Sequence, residues 1–291
     1  MTKLSLLDIT PLSPTLGARI AGLDLVQPLS AETIAEIRQA LLKHEVLFFE
    51  DQDLMPQQQR DLAARFGELH LHPIRPSVPG TPEVLVLDNQ PASDTDTGAW
   101  RADVTFIETP PMGSMLYARH VPPEGGDTLW SSMRAAYEAL SPSLREFLQP
   151  LDAEHDFTRS FPPDHLTSLN VGIERYTWAR REYPPVAHPL VRTHPETGKD
   201  GLFVNSGFTT RILGLSRPES TKILELLSEH IQRPEFVIRW RWKPNTLAFW
   251  DNRVTQHYTV DDYQPHRRVM HRVTILGDRP FNRSRLRLAA E

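Results

Sequence analysis

Val237-Ile238-Arg239-Trp240-Arg241-Trp242 alternates strictly: Ile238, Trp240 and Trp242 fall on one side of an extended chain, Arg239 and Arg241 on the other. Leu247-Ala248-Phe249-Trp250 and the stretch from Arg267 to Leu276 read as strands in the same third of the chain. Further back, short runs bounded by Pro and Gly have strand length: Val84-Leu85-Val86-Leu87, Thr105-Phe106-Ile107, Met115-Leu116-Tyr117-Ala118, Thr128-Leu129-Trp130 and Leu202-Phe203-Val204. Val46-Leu47-Phe48-Phe49 is apolar at every position, as in a strand covered on both faces. Helical patterns run from Ser30 to Lys43, with Ile34, Ile37 and Leu41 on one face, and from Pro56 to Phe66, where Gly67 stops the helix. Another runs from Met133 to about Gln149, interrupted near Pro142. The capping box Ser216-Arg217-Pro218-Glu219 opens a helix expected to bury Ile223, Leu226, Leu227 and Ile231. The stretch from Leu151 to Val191 is polar, proline-rich and weakly periodic, and is expected to be a long insertion covering a site. Many short strands with flanking helices predict a mainly β protein, a double-stranded β-helix or jelly roll, with residues 1–291 as one domain.

Composition excludes several classes. With 37 acidic against 32 basic residues the net charge is −5, and no basic stripe marks a nucleic-acid partner. The absence of cysteine excludes disulfides, iron–sulfur clusters, thiolate zinc sites and cysteine nucleophiles. No signal-like apolar stretch follows Met1, and no run of about 18 apolar residues suits a membrane span. The expectation is a soluble cytoplasmic protein with no membrane partner.

Five features carry chemistry, and each has a plain structural alternative. Trp100-Arg101-Ala102-Asp103 lies where a loop enters a strand, and Asp103 either caps a turn or ligates. Gly125-Gly126-Asp127-Thr128 is a tight turn. Trp250 to His257 sets a lone histidine late in a strand-loop unit, either a satisfied core group or a ligand. Arg268 and Arg272 share a strand face with Met270 and Thr274, while Val269, Val273 and Ile275 face the other way. The plain reading of that strand leaves both cations in solvent. His70 and His72 point the same way if extended and make a weak candidate metal pair.

Taken together, Trp100-x-x-Asp103 with Thr105 to Pro111, Gly125 to Trp130, Phe208-Thr209-Thr210-Arg211, Trp250 to His257 and Arg267 to Arg272 resemble the bacterial taurine dioxygenases, from about Leu6 to Phe281. The resemblance implies an Fe(II)- and 2-oxoglutarate-dependent oxygenase whose metal is held by two histidines and a carboxylate, leaving positions open for cosubstrate and O2. It carries the carboxylate to Asp103 and the distal histidine to His257. Thr128 and Arg268 match the residues that hold the far carboxylate of 2-oxoglutarate, and Arg272 matches the one that holds a substrate sulfonate. His72, Val104, Phe161 and Phe208 match residues lining the substrate pocket. It also implies a homo-oligomer and a role in sulfur metabolism.

Three positions depart from that pattern. Arg101 stands where the first histidine ligand is expected, and a guanidinium has no lone pair for a metal. Arg75 replaces a tyrosine and Thr97 an asparagine at two further pocket positions, which disfavours the ammonium group of taurine. Arg101 either points at the site or turns to solvent or to Asp94 or Asp96. The expected function is oxygenation of taurine or a related sulfonate, releasing sulfite, an aldehyde, succinate and CO2. Two alternatives remain: an impaired pseudoenzyme that binds anions, and a dioxygenase for an alkyl sulfate or another anionic substrate.

Overall fold

In the computed structural model, residues 7–89, 98–162 and 172–284 are described. An eight-stranded sheet runs in the order Asp8–Pro11, Ala18–Ala21, Val46–Phe49, Leu247–Asp251, Gly113–His120, Arg268–Ile275, Thr81–Asn89, Ser77–Val78. Facing it is a three-stranded sheet in the order Val237–Trp240, Thr128–Ser132, Thr255–Thr259. Apart from the parallel pair Ala18–Ala21 and Val46–Phe49, the pairings are antiparallel, as a jelly roll requires.

The period-two pattern explains which side chain goes where. Val46 and Phe48 enter the core between the sheets, with Trp250, Met270 and Trp130. Phe48 stacks on Trp240 at 3.9 Å and meets Trp130 edge-on at 5.3 Å. Leu47 and Phe49 face the other way, with Phe249, Val273 and Ile275, and are covered by Ile37 and Leu41 of the Ala31–His44 helix and Leu62 of the Pro56–Ala64 helix. The fully apolar Val46–Phe49 run is thus covered on both faces.

Four expectations change. Thr105–Ile107 is a turn, not a strand. Val104, with φ of 52°, turns the chain at its start, a left-handed conformation that a β-branched residue adopts at a cost of about 1–3 kcal/mol. The stretch from Leu151 to Val191 is largely structured: strands Asp152–His155 and Val186–Pro189 join Thr209–Ile212 in a third sheet, and Ile173–Glu182 is helical. Strand pairing at Asp200–Leu202 stops before Phe203 and Val204. Leu226 is 47% exposed, because the Arg217–His230 helix buries Leu227 and Ile231 and leaves Leu226 on its outer side.

Candidate functional site

The Arg268–Ile275 strand lies inside the large sheet, between Gly113–His120 and Thr81–Asn89. Its inner face carries Arg268, Met270, Arg272 and Thr274 toward the small sheet. The face assignment from the sequence holds, but the solvent reading fails: Arg268 is 3% exposed and Arg272 9%. Arg268 Nε donates to the Gly126 carbonyl at 3.1 Å, and its Nη2 lies 3.4 Å from Thr128 Oγ1. Trp242 Nε1 also donates to Thr128 Oγ1, at 2.9 Å. Burial pulls the Arg268 pKa down to about 10, so it stays cationic at neutral pH. Gly126, at φ 67°, lets the turn pass close to this side chain; a Cβ there would lie 3.1 Å from Arg268 Cδ.

Asp103 and His257 come together from distant parts of the chain. The backbones of residues 101 and 257 bond reciprocally, Arg101 N to His257 O at 3.0 Å and His257 N to Arg101 O at 2.8 Å. Asp103 Oδ1 sits 3.8 Å from His257 Nε2 and 2.8 Å from Arg272 Nη1, while Ser114 Oγ donates to Oδ2 at 2.8 Å. Burial alone would raise the Asp103 carboxyl; Arg272, His257, the Ser114 hydrogen bond and Arg101 together hold it below its ordinary value, so it is ionised. Arg101 is 7% exposed and borders the same cavity as Arg75, Thr128, His257, Arg268 and Arg272. Of the alternatives open from the sequence, a turn to solvent does not occur. A separate cavity beside the Arg217–His230 helix contains none of these residues.

Val104, Phe161 and Phe208 pack in one cluster with Ile74, Phe106 and Phe157. The His72 ring lies 5.8 Å from Phe161, and its Nδ1 accepts backbone N–H groups of Ile74 and Arg75 at 3.3 and 3.2 Å. Burial, then Arg75 and Arg272, push the His72 pKa well below the ordinary value, leaving it neutral. Arg75 lies over the Phe161 ring at 5.6 Å. The His70 and His72 rings stand edge to face at 6.0 Å, and the backbone bonds at His72 Nδ1 commit that nitrogen. Thr97, Asp94 and Asp96 lie outside the described residues.

Several contributors were not singled out in the sequence. Asn252 clamps the Asp103 backbone, accepting from its N–H at 2.7 Å and donating to its carbonyl at 2.9 Å. The Asx-rich run Asp251-Asn252 was visible, but its distant partner was not. The turn after Asp103 rests on two buried histidines. His155 Nδ1 bonds Thr105 Oγ1 at 2.9 Å, and His188 Nε2 donates to the carbonyls of Thr105 and Ile107, each at 3.0 Å.

Metal fit separates into two parts. Asp103 and His257 offer an ionised oxygen and an imidazole nitrogen facing one another. Arg101 offers no donor, and Asp103 Oδ1 is already paired with Arg272. Among the described residues no group of three His, Cys, Asp or Glu could hold a metal ion. The residues present therefore fit two protein donors and not a three-ligand centre. What the cavity does supply is a set of buried guanidiniums suited to planar oxyanions.

Comparison with known proteins gives the class to which this jelly roll with its inward-facing arginine strand belongs. The chain matches the family described as "Taurine catabolism dioxygenase TauD, TfdA family" over residues 8–274, and it belongs to that family. It is 38% identical to an alpha-ketoglutarate-dependent sulfate ester dioxygenase of Pseudomonas putida, across 94% of this chain and 91% of that one. It is 35% identical to an alkylsulfatase of Acinetobacter baylyi, across 94% and 86%. The crystal structure of a taurine dioxygenase from Burkholderia xenovorans superposes with a TM-score of 0.82 at 37% identity, covering 96% of this chain and 92% of that one. AAD-2, solved with Mn(II) and N-oxalylglycine, gives a TM-score of 0.78 at 32% identity, covering 95% and 99%. These neighbours bear out the expected jelly roll. Among the described residues no helix is long and apolar enough to cross a membrane.

Proposed function

We propose that this chain binds 2-oxoglutarate and a primary alkyl sulfate in the cavity bordered by Arg268 and Arg272 and oxidises the carbon that bears the ester oxygen. One O2 and one 2-oxoglutarate are consumed; the products are the aldehyde, sulfate, succinate and CO2. The observation that carries this reading is the burial of two guanidiniums on one strand face, four residues and roughly 13 Å apart. Such a pair suits two separate oxyanions. Arg268 with Thr128 would take the far carboxylate of 2-oxoglutarate, and Arg272 with His72 the sulfate. Iron, with Asp103 and His257 as its protein donors, would supply O2 activation. Val104, Phe161 and Phe208 would form the apolar wall against the alkyl chain.

Arg75 supports the choice of an alkyl sulfate over taurine. Its cation borders the cavity, so a zwitterion such as taurine is opposed at its ammonium end. An alkyl sulfate has no such group, and the sulfate ester dioxygenase and alkylsulfatase relatives support the same choice. Sulfate release from a panel of alkyl sulfates should exceed sulfite release from taurine by at least about tenfold, a difference of about 1.4 kcal/mol. An Arg101→His variant is expected to run faster with the same rank order. If taurine were the best substrate by a wide margin, the assignment would fail.

A second reading, an anion-binding protein without turnover, is favoured by one observation, the buried guanidinium of Arg101 at the place of a ligand. Stoichiometric Fe(II) after reconstitution, equal in this chain and in Arg101→His, would remove it.

A further inference from the structure

We propose that the cavity beside the Arg217–His230 helix is a second ligand site, for an uncharged aliphatic alcohol, and that its occupant braces the segment carrying Arg101 and Asp103. This cavity shares no residue with the arginine-lined one, and the inference does not depend on the substrate reading above.

The helix spans a gap between two fixed ends. Near its start, Ser220 Oγ accepts the Ile212 N–H at 2.8 Å. At its far end, His230 Nε2 donates to the Ala136 carbonyl at 2.8 Å, and Ser131 Oγ donates to the Ile231 carbonyl at 2.6 Å. Between those anchors Thr221, Leu224 and Ser228 fall on one face, three and four residues apart. Thr221 and Ser228 are too short to close on the chain at 204–210, and a cavity of about 320 Å3 remains between them. That volume lies within the range of roughly 300–1,000 Å3 usual for small-molecule sites.

Lining chemistry selects the ligand. Val204, Leu227 and Ile231 are buried and Leu224 is half-buried, an apolar floor for an alkyl chain. The polar side offers acceptors. Ser206 Oγ gives its proton to the Trp100 carbonyl at 2.7 Å, and Thr210 Oγ1 gives its own to Glu154 Oε1 at 2.8 Å. Each hydroxyl keeps lone pairs for a donor. Asn205 is committed at both ends, donating to Thr105 Oγ1 at 3.0 Å and accepting from Phe208 N at 2.9 Å. An alcohol brings the O–H that such a side calls for, and an aldehyde does not. The lining carries one cation, Arg159, and one anion, Glu225. Arg159 Nε donates to the Ser206 carbonyl at 2.8 Å, and Glu225 pairs with Lys222 at 2.8 Å. With the signs balanced, an uncharged ligand is favoured over an ion.

One stretch of chain, Asn205 to Thr209, borders this cavity and also touches residues 100 and 101. Ser206 N and Oγ both donate to the Trp100 carbonyl, at 3.1 and 2.7 Å. A Cβ on Gly207 would lie 3.1 Å from Arg101 Cβ. An occupant that stiffens residues 205–209 therefore stiffens the run from Trp100 to Asp103 behind them.

Calorimetric titration of the full chain with 1-hexanol tests the site. A Kd on the order of 1 mM is expected for a ligand of this size. 1-Octanol, with two more methylenes on the apolar floor, should bind about tenfold tighter. Hexanal, without the O–H, should bind about fivefold more weakly than 1-hexanol. Leu224→Trp fills the cavity from the helix and should weaken 1-hexanol by about tenfold or more. Thr221→Trp fills it from an exposed position, should act likewise, and guards against a folding defect in the first variant. With 1-hexanol at saturation, hydrogen exchange at the Arg101 amide, bonded to the His257 carbonyl at 3.0 Å, should slow by about threefold or more. The proposal is overturned if 1-hexanol does not bind at about 50 mM, if neither tryptophan variant weakens it, or if hexanal or hexanoate binds as tightly. Unchanged exchange at Arg101 with the cavity full would overturn the bracing. None of these readouts needs turnover, so their failure leaves the alkyl sulfate reading standing.

Discussion

Two buried carboxylates, Asp251 and Asp103, are linked through Asn252, which follows the first in sequence and clamps the backbone of the second. Each faces one histidine and one arginine. Around Asp251 the contacts close completely: His194 Nε2 at 3.0 Å, Arg253 Nε at 2.8 Å and Nη2 at 2.6 Å, with Arg253 tied onward to Glu196 at 2.8 Å. Around Asp103 they do not. His257 stands off at 3.8 Å, and Arg272, at 2.8 Å, also borders the cavity. Burial would raise both carboxyls, and in both the neighbouring arginine does most to reverse it. The same residue types thus build a closed brace at Asp251 and, at Asp103, a looser pairing whose histidine and arginine also line the cavity. Closure, not composition, separates a structural ion pair from a candidate site.

That contrast predicts unequal costs. Asp251→Asn leaves Arg253 and His194 buried without their anion and should destabilise by about 3–5 kcal/mol. Asp103→Asn should cost less than about 2 kcal/mol, because Arg272 can turn to water or an anion in the cavity. Urea unfolding of the two variants at pH 7 measures both. Equal losses would erase the distinction drawn between the two carboxylates.

Acid should act on the histidines around the open site before it reaches either carboxylate. Burial is the main cause that lowers His70 and His188 to about 4, and it holds His72 and His155 well below the ordinary value. Unfolding raises each toward 6.5, so the unfolded state binds more protons below that pH. Stability is therefore full above pH 6.5 and falls as the pH drops toward 4, by up to about 1.4 kcal/mol per pH unit for each histidine. A flat unfolding free energy between pH 6.5 and 4.5 would contradict their burial as neutral groups. Replacing His188 by Gln should flatten the slope in proportion.

Much of this was legible in the sequence because period two and period 3.6 report directly on which side is covered. The alternation at Ile238 and Trp240, the all-apolar Val46–Phe49 run and the shared face of Arg268 and Arg272 were readable for that reason. What the periodicity does not contain is which layer lies opposite. The two arginines read equally well as a solvated face until the small sheet is placed over them. Thr105–Ile107 has strand-like residues, but the left-handed backbone at Val104, next to Asp103 that Asn252 clamps from 149 positions away, overrides them. The shelf formed by His155 and His188 was hidden inside the weakly periodic Leu151–Val191 stretch, where polar residues look like loop until their distant partners are known. Arg101 was legible as a departure, beside Arg75 and Thr97, because a fixed spacing exposed the missing donor; its inward burial was not readable.

The smallest expected effect isolates one hydrogen bond at the open carboxylate. Ser114 Oγ donates to Asp103 Oδ2 at 2.8 Å and lies 3.3 Å from Thr274 Oγ1. Ser114→Ala removes the donor with little change in volume and should cost about 1 kcal/mol at pH 7. The pH dependence distinguishes this from a packing loss. The folded-state pKa of Asp103 is depressed, so the stability it brings is present above the unfolded pKa of about 3.9 and is lost as pH falls through the lower folded value. Without the Ser114 hydroxyl the folded pKa rises toward the unfolded one, and part of that stability is missing at neutral pH. Below the folded pKa the carboxyl is protonated in both proteins, and the difference between them should shrink. A difference unchanged from pH 7 down to pH 3 would assign the cost to packing against Thr274. A difference that fades with acid would show that the hydroxyl supports the charge on Asp103, as the closed contacts support Asp251.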